Sequence, residues 1–138
     1  MKIRLGISLL LGFILTCTLV SLTAAQNTFE TADELPLDDS VTKVLKESDS
    51  EYWWKFTTTC DGSLTLSTQA DEGIDYDLCI FDSMKHELAL LTNSCSEASV
   101  TLDDLSEGRY YIKVNRKEGS GDFTITTDFT PASMQNDS

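Results

Sequence analysis

The stretch that decides the fold is Gly62-Ser63-Leu64-Thr65-Leu66-Ser67-Thr68. After the glycine, leucines alternate with serine and threonine, so an extended chain turns its leucines to one face and its hydroxyl groups to the other. This alternation predicts a β-strand with one buried face and one face in contact with solvent. We therefore expect Leu64 and Leu66 to lie in the core.

The same alternation recurs through the rest of the chain. Trp54 and Phe56 share one face of residues 52–59, and further runs follow at residues 75–81, 88–91, 100–102, 110–114 and 123–127. Turn-forming clusters separate the runs, at Asp61-Gly62, Asp71-Glu72-Gly73, Asp82-Ser83, Ser106-Glu107-Gly108 and Glu118-Gly119-Ser120-Gly121. The pattern predicts an all-β chain, an antiparallel β-sandwich of about seven or eight short strands. Residues 28–35 also allow a turn or two of helix.

The first residues have the form of a cleavable secretory signal. Lys2 and Arg4 precede an almost uninterrupted apolar run at residues 5–20, and Thr23-Ala24-Ala25 supplies small residues before Gln26. A retained membrane anchor is the alternative, but it needs about 20 apolar residues, and this run has 16. The predicted organisation is therefore a signal peptide at residues 1–25, one domain at 26–130 and a flexible tail at 131–138.

The charge balance excludes one class of partner. The 138 residues include 23 acidic and 10 basic side chains, for a formal net charge of −13, and loss of Lys2 and Arg4 with the signal takes it to −15. So negative a surface repels a phosphate backbone. We expect no nucleic-acid partner.

Outside the predicted signal peptide the cysteines are Cys60, Cys79 and Cys95. A secreted chain passes through a compartment that permits disulfides. One bridge and one free thiol is the simplest arrangement, and all three pairings are open. Cys60 shares a face with Trp54, which favours a buried thiol there. A Cys79–Cys95 bridge is the favoured pairing, although a tight hairpin at residues 82–87 would instead bring Cys79 opposite residues near Leu90.

Six segments, in this order, resemble the bacterial pre-peptidase C-terminal domain over residues 27–129. They are Asn27-Thr28-Phe29-Glu30-Thr31-Ala32, Asp49-Ser50-Glu51-Tyr52-Trp53-Trp54-Lys55-Phe56-Thr57, Gly62-Ser63-Leu64-Thr65-Leu66, Asp75-Tyr76-Asp77-Leu78-Cys79-Ile80-Phe81-Asp82, Leu105-Ser106-Glu107-Gly108-Arg109-Tyr110-Tyr111-Ile112-Lys113-Val114 and Gly121-Asp122-Phe123-Thr124-Ile125. The resemblance implies a jelly-roll-like β-sandwich that is non-catalytic and serves secretion, solubility or attachment to a substrate. Similar domains of bacterial collagenases bind collagen and calcium.

Calcium is the predicted cofactor, because the chain is rich in the oxygen ligands that this ion takes. The resemblance implies a site in which Thr28 stands where an aspartate often follows the asparagine. The implied ligands are Asn27, Glu30, Asp49 and Glu51. A second acidic group lacks the spacing of a calcium-binding loop and is better explained as a solvated loop; it comprises Asp71, Glu72, Asp75 and Asp77.

Two aromatic side chains are the predicted ligand-binding residues. Trp53 and Tyr111 alternate with the core-facing Trp54 and Tyr110, so they point away from the core. A flat aromatic patch of this kind suits a protein or a sugar. The sequence indicates equally that a loop or partner strand covers both rings.

Nothing in the sequence predicts catalysis. Hydrolytic triads need a positioned base, and the one histidine, His86, lies in a polar turn. The leading hypothesis is a secreted, extracellular or periplasmic, monomeric binding module that engages an extracellular protein or polysaccharide. The main alternative is a secreted protease inhibitor or effector that binds its target through loops. An enzyme that uses Asp75 and Asp77 as an acid–base pair is a third possibility.

Overall fold

The computed structural model describes residues 27–135. The predicted signal peptide at 1–25 and the last three residues of the predicted tail lie outside the described residues. Within this range the chain forms nine strands and one helical turn. They are β1 (Asp33–Glu34), β2 (Ser40–Leu45), β3 (Glu51–Thr58), β4 (Gly62–Ala70), β5 (Asp75–Asp82), β6 (Glu87–Cys95), β7 (Glu97–Leu105), β8 (Gly108–Glu118), β9 (Gly121–Pro131) and α1 (Ala132–Gln135).

The strands form two sheets with jelly-roll connectivity. The five-stranded sheet has the order β1-β3-β8-β5-β6, and the four-stranded sheet has the order β2-β9-β4-β7. The short β1 pairs in parallel with β3, while the other strand pairs are antiparallel. Without β1, the remaining eight strands make two four-stranded layers, as in a jelly roll. The predicted all-β, jelly-roll-like sandwich is confirmed, with β1 as a strand beyond the expected number.

The core lies between the two sheets and is built from the inward positions of each strand. Leu64 and Leu66 have no exposed surface, which confirms the alternation at residues 62–68. Phe123 on β9 joins the layers, since its ring lies 6.1 Å from that of Trp54 and 4.9 Å from that of Tyr76. Other fully buried side chains are Leu45, Phe56, Ile74, Leu78, Ile80, Ile112 and Ile125. Burial of this apolar surface is the main force that holds the sheets together.

Two buried hydroxyl groups inside the sandwich are paired with each other. Thr68 is 4% exposed, and its hydroxyl lies 2.6 Å from the hydroxyl of Tyr76 on the opposite sheet. This pair satisfies two groups that would otherwise destabilise the core. Burial raises the pKa of Tyr76, because a charged phenolate would be poorly solvated between the sheets.

The amino-terminal segment docks on β3 instead of forming a helix. A turn closes at residues 28–31, where the Thr31 N–H donates to the Thr28 carbonyl at 3.1 Å. Ala32 is 5% exposed, and the Leu35 N–H donates to the Lys55 carbonyl at 2.8 Å. These contacts lay residues 27–35 along the five-stranded sheet.

Arg116 ties together the connections at one end of the sandwich. Its guanidinium donates to the carbonyls of Asp49 at 2.9 Å, Gly119 at 2.9 Å and Glu47 at 2.6 Å. Gly119 has φ +81°, and a Cβ there would lie 2.1 Å from the Gly73 carbonyl oxygen, so the turn requires glycine. Within residues 27–135, no helix is long and apolar enough to cross a membrane.

Candidate functional site

The outer face of the five-stranded sheet bears a cluster of four aromatic rings, which we call the aromatic face: Phe29, Trp53, Phe81 and Tyr111. The ring of Phe29 stacks on Tyr111 with centroids 3.9 Å apart and meets Trp53 edge-on at 5.4 Å. The ring of Phe81 lies 5.6 Å from that of Trp53. Strand register explains the cluster, because Tyr111 on β8 pairs with Phe81 on β5, while Trp53 lies on the neighbouring β3.

The structure shows the covered alternative for Trp53, whereas Tyr111 is covered only in part. Trp53 is only 8% exposed, because Phe29 of the amino-terminal segment packs over it. Tyr111, Phe29 and Phe81 are half-buried and reach the surface. Trp53 thus lies outside the core cluster, as its alternation predicts, but its ring is covered. The outward surface of the cluster consists of Phe29, Phe81 and Tyr111.

Lysines surround the aromatic face in a chain that is otherwise strongly acidic. The Lys85 ammonium lies 4.3 Å from the centroid of Phe29, and the Lys113 ammonium lies 5.5 Å from that of Trp53. Cations over rings in this way are held by the negative charge of the ring face. Lys55 adds a third cation on β3, 3.9 Å from the Glu34 carboxylate. Since Lys113 is also paired with Glu51, at 3.6 Å, the face combines aromatic surface with lysines, two of which are paired with carboxylates.

Three of the four predicted calcium ligands line one cleft beside β3, whereas Glu30 does not. This amino-terminal cleft is lined by Asn27, Thr28, Thr31, Asp33, Lys43, Ser48, Asp49, Ser50, Glu51 and Tyr52. Each predicted ligand already has a protein partner. The Asn27 carboxamide accepts from the Trp53 N–H at 2.5 Å and donates to the Trp53 carbonyl at 2.9 Å, as a neighbouring strand would.

The carboxylates of the cleft are likewise engaged. Asp49 accepts from the Lys46 N–H at 3.0 Å. Glu51 accepts from the Trp53 indole at 3.3 Å and lies 3.6 Å from the Lys113 ammonium. The oxygen chemistry of this cleft suits a hard cation, but no three His, Cys, Asp or Glu side chains in the described part of the chain form a metal-binding group.

Tyr52 closes the cleft on its inner side. Its hydroxyl donates a hydrogen bond to the Asp33 carboxylate, and the Lys43 ammonium lies 4.7 Å from its ring centroid. Burial, followed by the hydrogen bond and the charge of Asp33, raises the pKa of Tyr52 above its ordinary value. The folded state therefore favours the neutral phenol, which donates to Asp33.

The alternative acidic group is divided among separate structural contacts. Asp71 accepts from the Asp122 N–H at 2.8 Å, which joins the β4–β5 turn to β9. Asp77 lies 3.6 Å from the Lys117 ammonium. Asp75 and Asp77 do share the outer face of β5, where Asp75 pairs with Glu118 of β8 and Asp77 pairs with Asn115.

The predicted Cys79–Cys95 disulfide is wrong, because Cys60, Cys79 and Cys95 are all free. In the β5–β6 hairpin, Cys79 pairs with Leu90, whereas Cys95 pairs with Asp75, which lies four residues before Cys79 on β5. That offset is roughly 13 Å at the rise of a strand, whereas a disulfide joins Cα atoms about 4.4–6.8 Å apart. Cys60, expected to be buried, is exposed beyond the end of β3.

His86 lies in the β5–β6 turn as a solvent-exposed residue. Its Nδ1 is 3.2 Å from an Asp82 carboxylate oxygen, and the same carboxylate accepts from the backbone N–H groups of Met84 and His86 at 2.9 Å. These bonds, led by the one from the His86 N–H, lower the pKa of Asp82. The Asp82 carboxylate thus shapes the turn.

The outer face of the four-stranded sheet is different in character, and we call it the hydroxyl face. Its outward positions are mostly serine and threonine, namely Ser40, Thr42, Ser63, Thr65, Ser67, Ser99, Thr101, Thr124, Thr126 and Thr130. The alternation at residues 62–68 predicted one strand of this surface. Its extent depends on strand order, which the sequence pattern does not contain.

The comparisons with known proteins bear on the fold. No protein-family model and no curated protein matches the chain. The pre-peptidase C-terminal domain of a collagenase from Bacillus anthracis superimposes with a TM-score of 0.63 at 17% identity, over 74% of this chain and 99% of that one.

Two further solved structures are less similar. A surface-associated copper-binding protein of Methylomicrobium album has a TM-score of 0.48 at 5% identity, over 70% of this chain and 97% of its own. A periplasmic inhibitor of g-type lysozyme from Aeromonas hydrophila has a TM-score of 0.46 at 8% identity, over 72% and 96%. The likeness to the collagenase domain agrees with the resemblance in sequence, and the chain therefore has the β-sandwich fold of a pre-peptidase C-terminal domain.

Proposed function

We propose that this protein is a secreted, non-catalytic binding module that engages an extracellular protein or polysaccharide. The observation that carries the proposal is the aromatic face, where Phe29, Phe81 and Tyr111 reach the surface beside three lysines. Rings that are held rigidly by their neighbours lose little freedom on binding, so they are effective contact residues. The form of the leader at residues 1–25 and the shared fold support secretion and an accessory role.

The aromatic face also suggests how a partner is bound. Its rings offer apolar area for an aliphatic side chain or the face of a sugar ring, while Lys85 and Lys113 attract acidic or carbonyl groups nearby. Trp53 supports Phe29 and Phe81 from below and does not itself contact the partner.

Retention on immobilised collagen, chitin and cell-wall glycans tests this proposal. Tyr111→Ala removes the central ring and should reduce retention of the secreted chain about tenfold on the ligand that binds. Thr57→Ala, exposed on the same sheet, is the matched control and should bind like the wild type. No retention on any of these supports, or equal binding by the Tyr111 variant, would contradict the proposal.

Calcium is a separate part of the proposal and concerns the amino-terminal cleft. Asn27, Asp49 and Glu51 would supply oxygen ligands there, and Glu51 would have to turn away from Lys113 to do so. Calorimetric melting in calcium and then in chelator is the test. A higher midpoint in calcium, lost in an Asp49→Asn variant, supports binding, and identical midpoints contradict it.

Inhibition of a protease is a second candidate function, favoured by the β5–β6 turn. Met84 at its tip is 74% exposed, and Asp82 holds the turn through two backbone N–H groups. A rigid, exposed loop can occupy a protease cleft at little entropic cost. A protease panel should then show inhibition that Met84→Ala weakens, whereas binding through the aromatic face predicts none.

A further inference from the structure

The hydroxyl face is a regular array that neither of the functions above uses. Strand register places Ser40 on β2, Thr126 on β9, Ser67 on β4 and Ser99 on β7 side by side, so that one row of hydroxyl groups crosses all four strands. Adjacent strands lie about 4.8 Å apart, which sets the spacing of the row. All four residues are accessible to solvent.

The rows on either side of it are polar, and each contains one carboxylate. Thr42, Thr124, Gln69 and Glu97 lie side by side in the row beyond it, and Asp128, Thr65 and Thr101 lie together on the other side. The central row is therefore uncharged, and the surface around it is hydrophilic. A shallow depression lies over it, lined in part by Ser67, Gln69, Glu97, Ser99, Thr124 and Thr126.

Neighbouring hydroxyl groups are paired across strands, which orients them. Ser40 Oγ lies 2.7 Å from Thr126 Oγ1, and Thr42 Oγ1 lies 2.8 Å from Thr124 Oγ1. One hydroxyl has a donor and two acceptor sites, so each pair keeps one donor and several acceptors for a ligand. Threonine is stiff about χ1, and the array is therefore preorganised.

The charge on this face restricts the partner further. No lysine or arginine occupies an outward position on β2, β9, β4 or β7 within the described residues. Lys43 on β2 is turned toward Tyr52 of the other sheet, where its ammonium lies 4.7 Å from the ring centroid. The outward charges are all negative, from Glu97, Asp103, Asp122 and Asp128.

An anionic polymer would be repelled by these carboxylates. A protein partner is a poor match as well, because the central rows offer neither an apolar anchor nor a cation. A neutral polymer whose own surface consists of hydroxyl groups satisfies the donors and acceptors without bringing charge beside the acids.

We propose that the hydroxyl face binds a neutral, insoluble polysaccharide, with the row from Ser40 to Ser99 as its centre. The inference rests on the proposed function and names the polymer class and the surface that binds it. Each hydrogen bond contributes little, because it replaces one to water. Repetition along the row, and along the polymer, makes the binding cumulative.

Sedimentation of the secreted chain with microcrystalline cellulose and with chitin tests the proposal. The triple variant Thr42→Val, Thr124→Val and Thr126→Val removes three hydroxyl groups and keeps side-chain shape and strand propensity. We expect its affinity to fall about tenfold or more, with Thr57→Val on the other sheet at the wild-type level. Binding should be nearly independent of salt, because the contacts are uncharged.

A second variant tests the proposal even if the triple variant misfolds. Ser67→Lys places a long charged side chain in the middle of the row, and its melting midpoint and far-ultraviolet spectrum are compared with those of the wild type. A folded Ser67→Lys protein that still binds either polysaccharide as the wild type does overturns the proposal.

The remaining outcomes separate this proposal from the proposed function. Binding to collagen alone, lost in Tyr111→Ala, overturns the hydroxyl-face proposal and leaves the proposed function standing. Failure to bind any of these supports overturns both. An ice surface also presents a flat array of O–H groups. If the protein inhibits ice recrystallisation, the triple variant does not, and neither polysaccharide is bound, the proposal is overturned.

Discussion

The two outer faces of this sandwich are built by the same strand alternation and yet differ in chemistry. On the five-stranded sheet the outward positions carry rings and lysines, and the amino-terminal segment covers them in part through Phe29. On the four-stranded sheet the outward positions carry hydroxyl groups that pair with one another across strands. Alternation therefore decides which side chains face the core, while the outward residues are free to specify what each surface binds.

The comparison also distinguishes stability from binding. Rings on the aromatic face bury apolar area outside the main core, so they stabilise the fold as well as the surface. Hydroxyl groups on the other face remain hydrated and contribute little to stability. Variants on the two faces should therefore behave differently in unfolding experiments.

The largest expected loss of stability is at Leu66. Its neighbour Ser67, on the opposite face of β4, provides the comparison. Leu66→Ala should lower the free energy of unfolding by about 2–5 kcal/mol, because the side chain is fully buried. Ser67→Ala on the hydroxyl face should change it by less than about 0.5 kcal/mol. Equilibrium urea unfolding measures both, and a loss at Ser67 as large as that at Leu66 would show that the hydroxyl face is structural.

A smaller effect is expected for Phe29, which covers the aromatic face. Phe29→Ala should cost about 1–3 kcal/mol, because it removes ring contacts with Tyr111 and Trp53 from a half-buried position. Acrylamide quenching of tryptophan fluorescence should also increase, since Trp53 is then exposed while Trp54 stays 1% exposed in the core. Unchanged quenching would mean that the segment at residues 27–32 does not protect Trp53.

Alkaline pH should destabilise the fold through Cys79 on β5. Burial is the main reason that the pKa of this thiol is raised from 9.0 to about 11, and Glu87 adds to the rise. The folded state therefore favours the neutral thiol; its stabilising contribution is complete below pH 9 and is lost as pH rises toward 11.

Unfolding free energies measured from pH 8 to pH 11 test this effect, with Cys79→Ala as the comparison. Tyr52, Tyr76 and Tyr110 also have raised pKa values and contribute to the decline, so the variant should show a shallower decline and not a flat profile. Identical slopes for both proteins would exclude a contribution from Cys79.

The smallest effect concerns thiol reactivity and leaves stability unchanged. Cys60 and Cys95 are exposed, and Cys79 is 9% exposed on β5. A thiol reagent at pH 8 should label Cys60 and Cys95 at once and Cys79 only after unfolding. Rapid labelling of Cys79, or protection of Cys95, would contradict the hairpin register described here.

Sequence prediction succeeded where one strand sufficed and failed where two strands had to be aligned. Leu64 and Leu66 were placed in the core from their spacing alone, and both are fully buried. The Cys79–Cys95 pairing is wrong because the tight turn between β5 and β6 brings Cys79 opposite Leu90, which is the alternative that the sequence also indicated. The apolar pattern of each strand does not show how tight the turn is, so it could not decide between the two registers.

The strand β2 was missed for a related reason. Its inward positions include Lys43, whose stem and ammonium pack toward Tyr52, and its outward positions include Val44, which is 53% exposed. A lysine on the inner side and a valine on the outer side conceal the period of two. The sequence left open whether Trp53 is covered, because its cover, Phe29, comes from a segment with no apolar periodicity.

By itself, the sequence determined the all-β class, the alternation that builds the core and the acidic character of the surface. These properties are local or additive, since each strand's pattern and each charge can be counted without its neighbours. Only the tertiary structure decided which outward residues form a surface, because the hydroxyl face needs β2, β9, β4 and β7 side by side. Their order arises from jelly-roll connectivity, which brings together strands that are far apart in the chain.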